Sequence, residues 1–506
     1  MAASAFFELG TKQDFCLRLR IEQQRLIFEG EPQGFVGYRL DKACDDGVFV
    51  RWHYQDGRFT LTTDRLGLFP LYYLKTKHGL LLSNSVPLIR QQHELDVDTE
   101  ALSLFLRLGF YLGSDTAFKG LLRPEGQLNI RADSSGIQLD TVRPTPAAPA
   151  GSHTVACYQR LMEASLALVC EEKQPLYMPL TGGKDSRHIF LSLARQNIKP
   201  DLCYTVSVLA PHYNDDVAIG QKLAALLAVE HKVLAADQSL IPSECSKNLK
   251  TNFESRDHSW AAPAAQFFEQ APTGIVLDGF GGDVLSQSSV ITAQMHQLYR
   301  QQDWRGLIRA FVKDNRYFDC WLNRQHQAFI ASDVLLEQRL VQELSKYRSD
   351  INPMAQFFFW NRSRRSIAIS SIRYLSGQST AFMPFMQKDL VDFLFTLPVE
   401  QYFSNCFHSD TIQQLVPASR ALAFSQQQVA GSQLNYRQWQ RLLTAFLCYL
   451  GSNSLLSPAR KLRASCLALS SVRDRSQLVR LLFSFRKIAY LQGVLMHADW
   501  KPGRDG

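Results

Sequence analysis

The sequence predicts an α/β protein in which a mostly antiparallel β domain precedes a domain with a parallel sheet. Three observations support this prediction. Short apolar segments separated by turns occupy residues 1–143, three prolines lie between Pro144 and Pro149, and helical and strand patterns alternate after residue 153. Turn-linked strands are typical of hairpins, whereas alternating helices and strands are typical of right-handed βαβ units.

The first 143 residues are expected to form a β-rich α+β domain. Segments such as GFVGYRL and RFTLTTD are rich in β-branched and aromatic residues, and Asp56-Gly57 marks a turn between two of them. One helix is predicted from Thr99 to Leu108, because apolar side chains recur three and four positions apart. Residues 144–152 read as a linker, since three prolines in six residues forbid a helix and disfavour a central strand.

Residues 153–420 are expected to form the second domain. Predicted helices and strands alternate up to a strand at GIVLDG, and from about Leu298 onwards the pattern is almost entirely helical. Residues 421–506 form a basic helical extension, in which apolar residues recur at helical spacing. We expect these helices to pack on the body, and a docking surface for an acidic peptide, a glycan or RNA is the open alternative.

The net charge supports this division of the chain. The sequence contains 55 Lys and Arg and 47 Asp and Glu, a formal charge of +8, and 46% of its residues are hydrophobic, which excludes a disordered protein. Residues 401–506 contain 13 basic and 4 acidic side chains, so the excess belongs to the C-terminal segment. The remaining 400 residues are nearly neutral and do not suggest a nucleic-acid partner.

The cysteines and the apolar segments predict a cytoplasmic location. Ten cysteines are scattered without a C-x-x-C pair, as expected for reduced thiols. The N-terminus lacks the pattern of a signal peptide, and no later stretch approaches the ~18 apolar residues of a membrane span. We therefore expect a soluble cytoplasmic protein without a membrane partner, and its oligomeric state stays open.

The most informative segment is LTGGKDSR, residues 180–187, which follows a predicted strand and opens a predicted helix. Adjacent glycines allow backbone N–H groups to turn towards a ligand, and a helix N-terminus favours anions. The carboxyl end of a strand is also where open α/β sheets bind ligands. The pattern predicts a polyphosphate site formed by Thr181, Gly182, Gly183, Lys184, Asp185 and Ser186.

These residues resemble the SGGxDS pyrophosphate loop of the asparagine synthetase family, with Thr181 in place of the first Ser. The segment LDGFGGDVL, which contains Gly281, Gly282 and Asp283, is similar to the family's G-x-G-G-D-E-L-F signature, although Val284 replaces the Glu. The segments HYNDDVAIGQKLAALLAVEHKVL and MPFMQKDLVDFLFTLP also resemble family stretches. Four matches in the same order identify the chain as a member from about residue 155 to 420.

The resemblance implies an ATP-pyrophosphatase domain that uses ATP and Mg²⁺. In such enzymes a carboxylate is joined to AMP, pyrophosphate leaves, and an amine or ammonia completes the amide. Asp185 and Asp283 match the family's catalytic, magnesium-binding carboxylates. The substrate would be a small molecule, a peptide or a glycan that carries a carboxylate. Such chemistry needs the charge of the leaving pyrophosphate to be neutralised.

The N-terminal domain resembles the glutamine amidotransferase domain of the same enzymes, which has an Ntn-hydrolase-like fold. The resemblance rests on DRLGLFPLYY, residues 64–73, and LLLSNS, residues 80–85. Glutaminase chemistry in that fold requires a thiol at the second position, where this chain has Ala2. No counterpart of the family's NGEIYN motif is present. We therefore expect a degenerate domain that no longer hydrolyses glutamine and acts as a scaffold or docking module.

The synthetase half also departs from the family pattern. Thr380 and Phe382 replace a Glu and an Arg just before the family-like stretch MPFMQKDLVDFLFTLP. A Lys that stabilises the transition state in related enzymes has no clear match. Arg420 is a poor substitute for it, because an arginine cannot lose its proton. Relatives without the N-terminal cysteine include β-lactam synthetases and lasso-peptide cyclases. A lasso-type or macrolactam peptide cyclase, a nucleotide-binding pseudoenzyme and an RNA-modifying adenylase therefore remain as alternatives to an asparagine synthase-like ligase.

Overall fold

A computed structural model of the protein describes most of the chain. The described ranges are residues 7–41, 45–146, 153–170, 173–208, 212–213, 215–235, 239–287, 290–312, 320–425, 429–430 and 434–499. Ala2 and residues 147–152 of the predicted linker lie outside the described residues.

The N-terminal domain consists of two antiparallel sheets that pack face to face. In spatial order, the first contains Glu8–Leu9, Gln33–Arg39, Gly47–Gln55, Arg58–Thr63, Gln127–Asp133 and Gly136–Val142. The second contains Arg25–Glu29, Cys16–Glu22, Gly79–Ser83, Tyr72–Thr76 and Leu121–Leu122. Phe28 of the second sheet stacks on Phe59 of the first, with ring centroids 5.4 Å apart. The predicted antiparallel β domain is confirmed, while its Ntn-hydrolase type stays a prediction.

Two helices, Val86–Gln92 and Thr99–Leu108, accompany the second sheet. The predicted bounds of the second helix are confirmed, and the local chemistry explains them. The Asp98 carboxylate accepts a hydrogen bond from the Ala101 N–H at 2.9 Å and so caps the helix. Gly109 ends it in the left-handed region, with φ at 86°.

The second domain is built on a parallel sheet. Its strands run in the spatial order His231–Leu234, Leu202–Val206, Leu176–Pro179, Ile275–Leu277 and Thr380–Phe382. The strand that comes first in the chain is central, and the strand order reverses there, which places a crevice at the carboxyl ends of its neighbours. The strand Thr380–Phe382 corrects the prediction of an almost entirely helical chain after Leu298. Three residues are too few to show a strand period.

Helices surround this sheet. The α-helices are Val155–Cys170, Lys184–Arg195, Asp216–Leu226, Leu240–Lys250, Ala262–Gln270, Gly282–Ser286, Ala293–Arg300, Trp304–Phe311, Asp333–Ser345, Lys388–Phe395, Val399–Ser404 and Phe407–Leu415. Shorter 3₁₀ turns occur at Ser259–Ala261, Arg324–Phe329, Pro384–Met386 and Pro417–Ala421. Outside the main sheet, His212–Tyr213 pairs with Val429–Ala430 in an antiparallel ladder.

A helical segment that alternates between α and π geometry crosses between the domains. It consists of Pro353–Phe358 (α), Phe359–Ile367 (π), Ala368–Ser370 (α) and Ser371–Leu375 (π). We call Phe359–Ile367 the π segment. Geometry of this kind is rare, and it occurs frequently at functional sites.

The C-terminal helices are Tyr436–Ser452, Pro458–Ser470 and Ser476–His497. The last of these packs on both domains. The hydroxyls of Tyr490 and Tyr111 lie 2.8 Å apart, and Arg486 pairs with Glu244 at 2.9 Å. This confirms the expectation that amphipathic helices of the extension pack on the body. Among the described residues no helix has the length and apolar character needed to cross a bilayer.

Candidate active site

A cleft of about 370 Å³ opens at the carboxyl ends of the neighbouring strands Leu176–Pro179 and Ile275–Leu277. One wall, the loop wall, is formed by the first signature loop and the glycine-containing part of the second. The other, the far wall, is formed by Asp278, at the start of the second signature, and by residues from two other places in the chain. The loop wall includes Thr181, Gly183, Lys184, Asp185, Ser186, Gly281 and Asp283. The far wall includes His258, Asp278, Arg362, Ser363 and Ile367.

The first loop is held in shape by hydrogen bonds within the loop and to a neighbouring helix. The Gly182 N–H donates to the Asp216 carboxylate at 2.9 Å, and the Gly183 N–H donates to the Thr181 hydroxyl at 3.1 Å. These two N–H groups were expected to face a ligand, and instead they bond within the protein. Gly182 is needed for packing, since a Cβ there would lie 2.7 Å from the Ser425 Cβ.

The anion-binding groups of this loop are therefore the first N–H groups of the helix Lys184–Arg195. Gly183 precedes this helix and, having no side chain, gives it no side-chain cap. The first-turn N–H groups have no partner within a helix, and they carry the positive end of its dipole. Because Lys184, Asp185 and Ser186 line the cleft, this end of the helix suits a phosphate.

The two cations that flank the loop have different environments. The Lys184 ammonium lies at the cleft and donates to the Gln287 side-chain oxygen at 2.6 Å. Arg187 is buried, and its guanidinium donates to the carbonyls of Leu422 and Ala423 at 2.8 and 2.7 Å. Lys184 can therefore reach a ligand in the cleft, whereas Arg187 fastens the segment that covers the loop.

Glycines bring the second loop into contact with Asp185. A Cβ on Gly282 would lie 2.6 Å from Asp185 Oδ1, and a Cβ on Gly279 would lie 2.9 Å from Asp185 Cβ. Gly281 has a φ of 90°, in the region that favours glycine. The glycines of this signature thus allow Asp185 and Asp283, from different loops, to approach each other.

The electrostatics of Asp185 suit a bound cation. Burial, followed by the charge of Asp283, raises the pKa of Asp185 well above its usual value, although a hydrogen bond from the Asp283 backbone N–H acts in the opposite direction. Asp185 Oδ1 is buried and has no hydrogen-bond partner among the described residues. His408 Nδ1 lies 3.7 Å away, but burial lowers the pKa of that histidine well below its usual value, so the ring is neutral.

Asp185 and Asp283 fit a Mg²⁺ ion that arrives with a nucleotide. The described residues contain no group of three or more His, Cys, Asp or Glu side chains arranged for a metal. Mg²⁺ is commonly held by one or two carboxylates and completes its coordination with phosphate oxygens and water. The orphaned oxygen of Asp185 beside a second acidic loop provides the protein's part of such a site.

The far wall was not found from the sequence. Asp278 directly follows the strand Ile275–Leu277 and accepts the Phe280 N–H at 2.8 Å, and burial raises its pKa. Its position at a strand end was a signal that could have identified it. Arg362 comes from the π segment and lies 3.6 Å from Asp257. No sequence pattern predicts a π turn, so nothing in the sequence indicated that Arg362 would line the cleft.

His258 completes the far wall in an unusual conformation. Its φ of 73° lies in the left-handed region, which costs a non-glycine residue conformational energy. Burial lowers the pKa of His258 to about 4, so the ring is neutral. Its Nδ1 is buried without a hydrogen-bond partner among the described residues, and the residue lines the cleft.

The N-terminal domain holds the far wall in place. Arg364 donates to the carbonyls of Gly67 and Pro124 at 3.0 and 2.9 Å. Arg365 donates to the Gly113 carbonyl of that domain at 2.6 Å and also pairs with Glu254 of the second domain, and both guanidiniums are buried. These anchors lie one turn or less from Arg362 and Ser363. The position of the far wall therefore depends on contacts made across the two domains.

Arg420 does not take the place of the transition-state lysine for which the sequence offered no clear match. The Arg420 guanidinium donates to the Gln413 carbonyl at 2.7 Å, and the residue does not line the cleft. Thr380 and Phe382 belong to the edge strand of the parallel sheet, where Phe382 is buried. Among the described residues that line the cleft, the Lys and Arg side chains are those of Lys184 and Arg362.

The fold and the cleft together define an α/β enzyme with a nucleotide site at the switch point of a parallel sheet. A family model described as asparagine synthase matches residues 158–414, a segment that contains the sheet, both signature loops and the π segment. The chain belongs to the asparagine synthase family, and as such it is an ATP-dependent ligase. A search of curated proteins finds no match.

Proposed function

We propose that this protein adenylates a carboxylate with ATP and transfers the acyl group to an amine or ammonia. AMP and pyrophosphate are the other products. The observation that carries the proposal is the buried, unpartnered Oδ1 of Asp185, which lies against the second signature loop at the N-terminus of an uncapped helix. That combination suits a polyphosphate together with its metal ion.

In the first step an oxygen of the substrate carboxylate attacks the α-phosphorus of ATP, and the bond from that phosphorus to the bridging oxygen breaks. The leaving pyrophosphate accepts hydrogen bonds from the first-turn N–H groups of the helix Lys184–Arg195. Asp185 and Asp283 would hold Mg²⁺, which when bound neutralises part of the phosphate charge. Lys184 adds a further positive charge at the same wall.

In the second step the amine nitrogen attacks the acyl carbon, and the bond to the AMP oxygen breaks. The nitrogen must also lose a proton. Asp278 is the acidic side chain of the far wall, and because burial raises its pKa it is suited to accept that proton. Arg362 is the far wall's cation, and a guanidinium can bind a carboxylate through two parallel hydrogen bonds. It would hold the anionic end of the substrate.

The nitrogen donor is proposed to come from outside the N-terminal domain. Cys16 is the only thiol in the described part of residues 7–143, and burial raises its pKa, the opposite of what a nucleophilic thiolate requires. It is also absent from the lining of the cavity of about 180 Å³ between this domain and the edge strand Thr380–Phe382. This supports a domain without glutaminase activity.

The direct test is pyrophosphate release from ATP and Mg²⁺ with amino-acid, peptide and glycan carboxylates. We expect release with one of these classes, and an amide product when an amine is supplied. Activity with aspartate and ammonia would identify an asparagine synthase-like ligase, and a cyclised product from a linear peptide would identify a macrolactam cyclase. Stimulation only by RNA would favour an adenylase that modifies RNA. ATP binding by calorimetry without turnover in any arm would contradict the proposal and indicate a pseudoenzyme.

A further inference from the structure

The helix Pro458–Ser470 presents its larger apolar side chains to solvent and its small ones to the protein. Ala464 and Ala468, four residues apart, are fully buried. Leu462 and Leu469 are 66% and 52% exposed, and Cys466 between them is exposed. Residues 462, 466 and 469 are spaced to lie on one helix face. We call this face the leucine stripe, and Val472, 44% exposed, follows it.

A surface helix of a globular protein normally has the reverse arrangement, with leucines towards the core. Single exposed leucines need no explanation, but a row of them on one face marks an interaction surface. Here the helix is attached to its neighbours by two alanines and by basic side chains, such as Arg460, which donates to the Leu322 carbonyl. The exposed leucines are therefore available to a partner that is absent from the described chain.

The surroundings of the leucine stripe are strongly basic. Residues 434–499 contain ten basic and two acidic side chains. Of the two acids, Asp499 pairs with Arg90, and Asp474 accepts hydrogen bonds from Ser476 at the start of the last helix. Five exposed arginines of this region make no ion pair within the described chain, namely Arg437, Arg441, Arg463, Arg473 and Arg480.

These observations select the partner. A second copy of this surface would place arginines against arginines, which disfavours a symmetric dimer. The stripe itself contains no aromatic side chain on which a nucleic acid could stack a base, and the exposed Tyr436 of the neighbouring helix already stacks on Trp439. Exposed leucines also contribute nothing to binding of the phosphate backbone. Protein interfaces are centred on Trp, Tyr and Arg, whereas leucine is under-represented among their hot spots. An anionic lipid surface uses both features, since leucines enter the acyl boundary while arginines reach the head groups.

We propose that the leucine stripe and its arginines dock the protein on an anionic membrane surface, with the helix Pro458–Ser470 lying in the plane of the interface. The sequence-based expectation of no membrane partner rested on the lack of a spanning segment, and a helix that lies on the surface needs none. The anionic head groups would balance the excess positive charge of the C-terminal helices. None of the residues of the stripe lines the cleft, so the membrane proposal does not depend on the proposed reaction.

Vesicle sedimentation of the full chain tests this proposal. The probes are phosphatidylserine–phosphatidylcholine vesicles and pure phosphatidylcholine vesicles, at low and high salt. We expect binding to the anionic vesicles only, weakened by salt. Leu462→Glu with Leu469→Glu should weaken it at least about tenfold, because the apolar insertion is lost. Arg463→Gln with Arg473→Gln, at the exposed arginines next in sequence to Leu462 and Val472, should also weaken it about tenfold or more, at roughly 1 kcal/mol for each arginine near the surface.

Matched controls separate this surface from general effects. Val334 is 65% exposed on another helix, and Arg305 is largely exposed, so Val334→Glu and Arg305→Gln should bind vesicles like the wild type. Pyrophosphate release should be unchanged in every variant. Failure of the wild type to bind anionic vesicles at low salt would overturn the proposal. Binding that is unaffected by the leucine substitutions, equal binding to heparin, or self-association that these substitutions abolish would each overturn it as well.

Discussion

The two walls of the cleft are built in different ways. The loop wall consists of two short glycine-containing segments, each placed directly after a strand, and its shape is set by hydrogen bonds such as that from the Gly182 N–H to Asp216. The far wall combines Asp278, at the start of the second signature, with His258 and Arg362, which come from distant parts of the chain. Short sequence patterns mark the residues of the loop wall, although its shape also depends on Asp216 of another helix, whereas His258 and Arg362 reach the far wall only through the tertiary structure.

This difference gives the N-terminal domain a structural role in the cleft, independent of any chemistry of its own. The π segment carries Arg362 into the cleft, and its next residues are anchored in the N-terminal domain through Arg364 and Arg365. Arg123 of that domain also pairs with Glu254. A buried network of this kind is strongly destabilised when one partner is removed. The domain contributes to the cleft as a structural support, whatever else it binds.

The largest effect is expected for the carboxylates of the loop wall. Asp185→Asn and Asp283→Asn each remove a negative charge that would hold Mg²⁺ beside the phosphates. Loss of such an interaction in a transition state costs on the order of 10³-fold in rate. Steady-state pyrophosphate release measures it, and Asp389→Asn, at an exposed site, is the control. Activity within tenfold of the wild type in either loop-wall variant would contradict the metal assignment.

A slightly smaller effect is expected for Gly282→Ala. The new Cβ would lie 2.6 Å from Asp185 Oδ1, so the second loop must move away from Asp185. We expect a loss of about 100-fold in pyrophosphate release, as for small displacements of catalytic groups. Gly451→Ala is the control, because a Cβ there meets nothing within 4 Å. Unfolding midpoints of both variants distinguish a displaced carboxylate from a damaged fold, and a fully active Gly282→Ala enzyme would show that the loops need not touch.

Much of the fold and of the loop wall could be predicted from the sequence, because the signals are local. The helix Thr99–Leu108 and the alternation that gives the parallel sheet were predicted from residue patterns, and the joint role of Asp185 and the second loop was implied by the family resemblance. The strand Thr380–Phe382 was missed because three residues show no period. The internal bonding of the Gly182 N–H was missed because its partner, Asp216, comes from another helix. Arg362 reaches the cleft through π geometry and cross-domain contacts, neither of which a local pattern reports.

The far wall is tested by Arg362→Gln. Loss of a charge-assisted hydrogen bond costs roughly 1.5–3 kcal/mol, which corresponds to a reduction of about 10- to 100-fold in kcat/KM. If Arg362 binds the substrate carboxylate, KM for that substrate should rise while ATP affinity, measured by calorimetry, stays the same. Arg305→Gln is the control, since its guanidinium is largely exposed elsewhere. If ATP affinity fell as much as the KM for the substrate rose, Arg362 would bind the nucleotide instead. Both walls would then bind the nucleotide.

The smallest effect concerns the metal-free protein and compares one carboxylate from each wall. The pKa of Asp185 is raised in the folded state, so the folded protein holds a proton more tightly than the unfolded chain does. Stability is then highest at low pH and falls as the pH rises above the ordinary value of the carboxyl, towards the raised pKa. With EDTA present, Asp185→Asn should be more stable than the wild type near neutral pH, by on the order of 1–3 kcal/mol. The gain should disappear below the ordinary carboxyl pKa of 3.8, where Asp185 is protonated in the unfolded chain as well.

Asp278 provides the contrast. Burial raises its pKa as well, and its carboxylate accepts hydrogen bonds from the Phe280 N–H and the Ser371 side chain. Asp185 accepts the Asp283 N–H but keeps Oδ1 without a partner among the described residues. An asparagine at position 278 loses more of its bonding, so Asp278→Asn should gain less stability near neutral pH than Asp185→Asn. Denaturant unfolding midpoints between about pH 3 and pH 8 measure both differences. Equal gains in stability at the two sites would mean that the negative charge of Asp185 costs the metal-free fold no more than that of Asp278. A pH-independent gain at Asp185 would mean that its folded-state pKa is not raised.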